Sequence, residues 1–201
     1  MRETALTREQ ILEAAEEVLR RYGPAKANVV DVARALGVSH GSVYRHFPSK
    51  AALRDAVTER WLGSISSALE SVAAEQRPAI ERLQRWLDLL VHSKRSKALD
   101  DPELFGTYIE LAAEAREVVN AHVDTLLAQL ARIISDGVAH GEFEATDPAA
   151  TARAVFDATS RFHHPAHATD WVSTRTATAY QHVRALVLRG LEARHGIDAT
   201  G

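Results

Sequence analysis

Apolar residues recur at helical spacing along nearly the whole of this chain, and the residues between them carry the signals that start and stop helices. Ile11, Ala15, Val18, Leu19 and Tyr22 form a first stripe behind Thr7, which makes a capping box with Gln10, and Gly23-Pro24 closes the segment. Asn28 is placed to cap a second helix, with Asp31 at N3 against the dipole and Val32, Ala33 and Leu36 inside. Gly37 can take the left-handed conformation that ends it. Ser39 then caps a third helix, with Val38 and Val43 at the two positions of a hydrophobic staple. Helices joined by so short a turn must cross steeply. Val43 and Phe47 point inward, and Pro48 stops the run.

Six further helices follow. A long one, predicted from Ser49 to about Ala74, carries Leu53, Val57, Trp61, Ile65, Leu69 and Val72, and its length lets it join two regions. Pro78 is placed to start the fifth, to about Lys97, before a break at LDDPEL. The remaining spans are about Pro102 to Ala113, Ala115 to His140 (ended by Gly141), Asp147-Pro148 to Phe162, and Thr174 to His195. No segment has strand periodicity, so the expected class is all-α.

The third helix has a distinctive outward arc. Gly41, Ser42 and Arg45 lie opposite Val43 and Phe47, with Tyr44 on the flank, Ser39 and His40 at the start, and His46 and Lys50 just beyond. Such a face suits a DNA major groove and its phosphates. Gly41 costs about 1 kcal/mol of helix propensity, which points to close backbone approach to a duplex. Arg45 is suited either to bidentate readout of guanine or to a phosphate. A solvated polar face is the plain alternative. Asn28 and Arg34 are explained almost as well by a cap and a surface charge.

The run from Thr7 to Leu62, and GVSHGSVYRHFPSKAAL above all, resembles the DNA-binding domain of the TetR family of transcriptional repressors. Gly37, Val38, Ser39, Val43, Tyr44, His46, Phe47, Lys50 and Leu53 meet the family pattern in order; beyond this first third of the chain the likeness is one of helical layout. The resemblance implies a three-helix helix-turn-helix domain over residues 1–48, a connecting helix over 49–74, and a ligand-binding and dimerisation domain over 75–201. It also implies a repressor on an inverted-repeat operator, released by a small-molecule effector, with His46, Lys50 and the Tyr44 hydroxyl on phosphates. The expected dimer is formed by the last two helices, where Ala152, Val155, Phe156 and Thr159 are placed for a four-helix seam. Packing of both helices within one chain is the alternative.

Composition changes this picture little. A net charge of −3 does not by itself suggest a nucleic-acid binder, but residues 1–60 hold 10 Lys/Arg against 8 Asp/Glu, so the excess acid lies in the rest. Phosphate contacts depend on local potential within about a Debye length, so a slightly basic end can still orient on DNA. With no cysteines, disulfides, thiolate zinc sites and cysteine nucleophiles are excluded. Neither a long uncharged apolar run nor a signal-peptide pattern occurs, so the expected location is the cytoplasm with no membrane partner.

An effector cavity is expected among the fifth to eighth helices, with Trp86, His92, Tyr108, Glu110, His122, Arg161 and His163 as candidates and an acidic effector favoured by the His and Arg content. In the stretch RFHHPAH, His163, His164 and His167 raise the alternative of a metal-responsive regulator or a metal-dependent enzyme. However, His163 and His167 share a face only on an unbroken helix, which Pro165 disfavours. A helix end whose histidines favour the negative dipole terminus or line a pocket explains the stretch more simply, so no metal or cofactor is expected. No nucleophile elbow, phosphate loop or HExxH motif is present, and the chain does not read as an enzyme.

Overall fold

The computed structural model describes residues 6–23 and 28–193. Among them run nine α-helices: α1 Arg8–Tyr22, α2 Val29–Leu36, α3 His40–Tyr44, α4 Lys50–Ala73, α5 Ala79–Asp100, α6 Pro102–Glu114, α7 Arg116–Ala139, α8 Pro148–Thr159 and α9 Thr174–Leu191. Short 3-10 helices, Ser160–Phe162 and Pro165–Asp170, lie between the last two, and the described residues hold no strand. The all-α class and the helical order therefore stand.

Local chemistry sets the boundaries. The Thr7 hydroxyl accepts the Gln10 amide at 3.2 Å while the Gln10 side chain accepts the Thr7 amide at 2.9 Å. Asn28 Oδ1 accepts the amides of Val30 and Asp31 at 2.9 and 3.1 Å. Caps of this kind contribute about 1 kcal/mol each. Gly37 ends α2 at φ 67°, ψ 28°, a left-handed conformation that an L side chain rarely adopts.

Three ends depart from the sequence expectation. α5 runs on to Asp100 because only Asp101, at φ −145°, ψ 78°, is forced out of the helical region by the proline after it. α8 stops at Thr159 and tightens into a 3-10 turn, after which His163 (φ −138°) leaves the helical region ahead of Pro165. α9 ends at Leu191, and His195 lies outside the described residues, as does Pro24.

The chain divides into two compact units. One takes the described residues as far as Ser64 together with Asp100–His122; the other takes Ile65–Leu99 together with the described residues from Val123. In the smaller unit Ile11, Val32, Val43 and Phe47 are fully buried, and Trp61 stacks on Tyr108 with ring centroids 4.6 Å apart. In the larger unit the core is Leu83, Trp86, Leu87, Leu90, Leu130, Ile133 and Ile134, none of which retains exposed surface. Burial of each such aliphatic side chain contributes roughly 1.5–3 kcal/mol. Two polar side chains in this core bond to each other and to the backbone: Trp86 Nε1 donates to Gln129 at 3.0 Å, and Gln129 Nε2 donates to the Ser66 carbonyl at 3.0 Å. Gly137 is required here, since a Cβ would collide with the Phe143 ring.

Candidate nucleic-acid interface

α2 and α3 are joined by three residues, and each end of that turn is fixed by a side chain or backbone group already described. The Gly37 amide reaches back to the Arg34 carbonyl at 3.2 Å and the Val38 amide to Ala33 at 3.0 Å, closing α2. Ser39 then accepts the Ser42 amide at 3.3 Å, opening α3. With Val43 and Phe47 buried beneath, the arc on the other side has to face outward.

That arc is a ladder of polar groups one helical turn apart. The Ser39 and Ser42 hydroxyls lie 3.0 Å apart, and Arg45 Nη2 donates to the Ser42 hydroxyl at 3.3 Å. Every bond in it is local and exposed, so each can be exchanged for water or another acceptor at small cost. Beside it Tyr44 leaves 48% of its surface in water, unusual for so large an aromatic side chain. His40, Gly41 and Arg45 are exposed, while Ser42 and His46 are half-buried. A Cβ on Gly41 would meet only the Ser39 hydroxyl, at 3.8 Å, so nothing within the chain demands glycine there. Lys50 is exposed at the start of α4, where the Ser49 hydroxyl caps the Ala52 amide at 3.0 Å. Asn28 performs its capping role, and Arg34 pairs with Asp31 at 3.1 Å.

Residues 11–57 match the family described as bacterial regulatory proteins, tetR family. Residues 79–184 match the tetracyclin repressor-like C-terminal domain, so matched residues lie in both units. The chain belongs to the TetR family. Among its relatives is the nucleoid occlusion factor SlmA of Vibrio atlanticus, 34% identical over 94 residues, or 46% of this chain and 48% of that protein. Another is the uncharacterized HTH-type transcriptional regulator YfiR of Bacillus subtilis, 27% identical over 150 residues and 73% of each chain. The chain thus spans about half the length of the first SlmA protein it matches. Of solved structures, SmeT, the repressor of the Stenotrophomonas maltophilia multidrug efflux pump SmeDEF, superposes with a TM-score of 0.69 at 22% identity, covering 94% of this chain and 92% of that one. RolR with its ligand resorcinol gives 0.61 at 19% identity, covering 93% and 88%. At these identities the likeness shows the fold.

The larger unit of this TetR-family chain holds a cavity of about 240 Å³ between the second half of α5, the 3-10 segment and α9. Asp88 organises its wall: Tyr180 donates its hydroxyl at 2.7 Å, and Arg184 Nη1 donates at 2.6 Å. Burial, and then the bond to Asp88, hold the Tyr180 hydroxyl protonated well above the usual phenol range. Phe162, Trp171, His92 and Arg95 complete the part that bears chemistry.

Of the seven residues expected around an effector, His92 is in this wall. Trp86 lies in the core, and Arg161 is paired with Asp170 at 3.3 Å on the surface. Tyr108, Glu110 and His122 belong to the smaller unit, where Tyr108 is stacked, Glu110 is exposed and His122 is buried. His163 is buried, its Nε2 3.3 Å from both the Thr159 hydroxyl and the Phe156 carbonyl; desolvation pushes it down to about 4, with the Lys94 charge acting the same way. Burial also lowers Lys94, to about 8. His164 is exposed and its Nδ1 accepts the Ala166 amide at 3.2 Å. Among the described residues no group of three or more His, Asp or Glu side chains is arranged to hold a metal ion. Asp88, Arg95, Tyr180 and Arg184 escaped sequence reasoning because each reads as an ordinary helical residue. The flanking aromatics Phe162 and Trp171, around an otherwise polar stretch, were the available signal.

Ala152, Val155 and Thr159 of α8 are buried inside the larger unit, whereas Leu186 of α9 leaves 66% of its surface exposed. No described helix is long and apolar enough to cross a membrane.

Proposed function

We propose that this protein is a cytoplasmic transcriptional repressor that binds an inverted-repeat operator as a homodimer and leaves it when a small molecule occupies the larger unit. It acts by binding, not catalysis. The observation that carries the reading is the exposed Ser39, Ser42 and Arg45 ladder on a short capped helix, beside an exposed Tyr44. In this reading Ser39, His40, Gly41, Ser42 and Arg45 approach base edges, while Tyr44, His46 and Lys50 hold phosphates and Asn28 stands near the backbone. Gly41, which the chain itself does not require, lets the duplex approach closely.

The two subunits meet through α8 and α9, with Leu186 among the apolar residues that the partner covers. The organisation is residues 1–48 for DNA, the α4 region for connection and 75–201 for effector and partner; α4 is one continuous helix from Lys50 to Ala73. SmeT is named a repressor, and RolR was solved with resorcinol, which supports both repression and a small-molecule effector. The test is selection of bound duplexes from a random pool. The expected product is an inverted repeat with half-sites about one DNA turn or a little more apart. A pool without any enriched repeat would overturn the reading.

A further inference from the structure

We propose that the cavity between α5 and α9 takes an aromatic carboxylate, its carboxylate held by Arg95 and Arg184 and its ring lying against Trp171 and Phe162. This rests on the reading of the larger unit as the effector domain and narrows it to a chemical class.

Charge in the wall decides the sign of the ligand. Arg95 and Arg184 face one carboxylate, Asp88, and that carboxylate is engaged twice already, by the Tyr180 hydroxyl at 2.7 Å and by Arg184 Nη1 at 2.6 Å. Asp88 and Arg184 therefore offset each other, and Arg95 leaves the wall with net positive charge. Arg95 has no ion pair or hydrogen bond with any described residue. Arg184 directs only Nη1 at Asp88, so its Nη2 has no hydrogen-bond acceptor among the described residues and remains to be met by an incoming one. A planar carboxylate matches the guanidinium fork with two parallel hydrogen bonds, and it is smaller than a phosphate, which does the same.

Size and shape decide the rest. A cavity of about 150 Å³ suffices for benzene; at about 240 Å³ this one has room for one ring with a short acidic arm. Phe162 and Tyr180 pack edge to face with centroids 5.3 Å apart, and Trp171 is held by its Nε1 donating to the Arg161 carbonyl at 3.0 Å, so the aromatic wall is set before any ligand arrives. An aromatic wall can also attract an organic cation. Two guanidinium groups against one carboxylate leave a net positive wall, which opposes it.

The test titrates the full chain with benzoate and 3-phenylpropionate, their amides, and benzyltrimethylammonium, following tryptophan emission in the wild type and in Trp171→Phe to isolate the reporting residue. The acids should change the emission of the wild type, with the change lost in Trp171→Phe, and should bind at least about tenfold more tightly than their amides. Arg95→Gln should weaken the acids about tenfold, leave the amides as they were, and keep the melting temperature, because Arg95 holds no partner in the fold. Arg95→Lys, which keeps the charge, should recover part of the loss. Amides binding as well as acids, the cation binding best, acids unaffected by Arg95→Gln, or no response to either acid would each overturn the proposal. Release of a selected operator separates the two claims. Acids that bind without releasing DNA would sink the effector reading and leave the site standing; release by neutral or cationic compounds alone would do the reverse.

Discussion

The polar groups on α3 and those lining the α5–α9 cavity answer to opposite requirements. On α3 the bonds run between Ser39, Ser42 and Arg45, three residues apart and exposed, so the surface chooses its partners after folding. In the cavity Asp88 is bonded to Tyr180 and Arg184, 92 and 96 residues away, so the arrangement exists only once the larger unit has folded. The first kind can be altered with small effect on stability and large effect on what is bound. Substitution of Asp88, Tyr180 or Arg184 disturbs both. In the proposed function the loose set serves a long polyanion and the fixed set a small molecule, and a protein that must exchange one for the other benefits from having each kind.

The largest effect that would sharpen this contrast lies in the core of the larger unit. Trp86→Ala removes a fully buried ring and leaves Gln129 without its donor, and should cost about 3–5 kcal/mol in urea unfolding. A loss under about 1 kcal/mol would mean that the interior of the larger unit is not packed as described.

Next is a pH effect from the same unit. His163 titrates near 4 in the folded chain, below its ordinary 6.5, because it is desolvated beside Lys94 and His164. Between those values the unfolded chain binds a proton that the folded chain refuses. The contribution of His163 is therefore complete above about pH 6.5, falls as the pH drops toward about 4 and levels off below, by about 3 kcal/mol in all. His163→Gln should flatten that part of the stability–pH curve, and an unchanged slope would place the titrating group elsewhere.

On α3 the signs reverse. Arg45→Ala should leave the unfolding midpoint within about 0.5 kcal/mol of wild type while costing about 1–3 kcal/mol on the selected operator and relaxing one base position. Equal losses on cognate and scrambled duplexes would demote Arg45 to a backbone contact. Gly41→Ala should stabilise the fold by up to about 1 kcal/mol, since its Cβ would meet only open space and the Ser39 hydroxyl, yet weaken operator binding. Unchanged binding would remove the close approach of the duplex. Smallest is Lys50→Ala, which should weaken all duplexes alike and lower the salt slope by about one unit; an unchanged slope would take Lys50 off the phosphates.

Much of the smaller unit is legible in the sequence because its determinants are local. Thr7 and Gln10, Asn28 and Asp31, Gly37, and Ser39 act within about one helical turn, and spacing alone reveals them. The cavity is not legible in that way. Tyr108 reads as a pocket residue and is instead stacked on Trp61, while Asp88 reads as an ordinary helical charge until the fold places Tyr180 and Arg184 on it. The histidine stretch shows the same limit. Pro165 signals the break, but nothing in the spacing tells that His163 turns inward and His164 outward.

The most direct test of the DNA-reading claim is a single comparison at one salt concentration, the dissociation constant of the purified protein for the selected inverted repeat against that for a scrambled duplex of the same length and composition. The exposed α3 ladder predicts that the repeat is bound at least about a thousandfold more tightly. Equal affinity for both duplexes would contradict it.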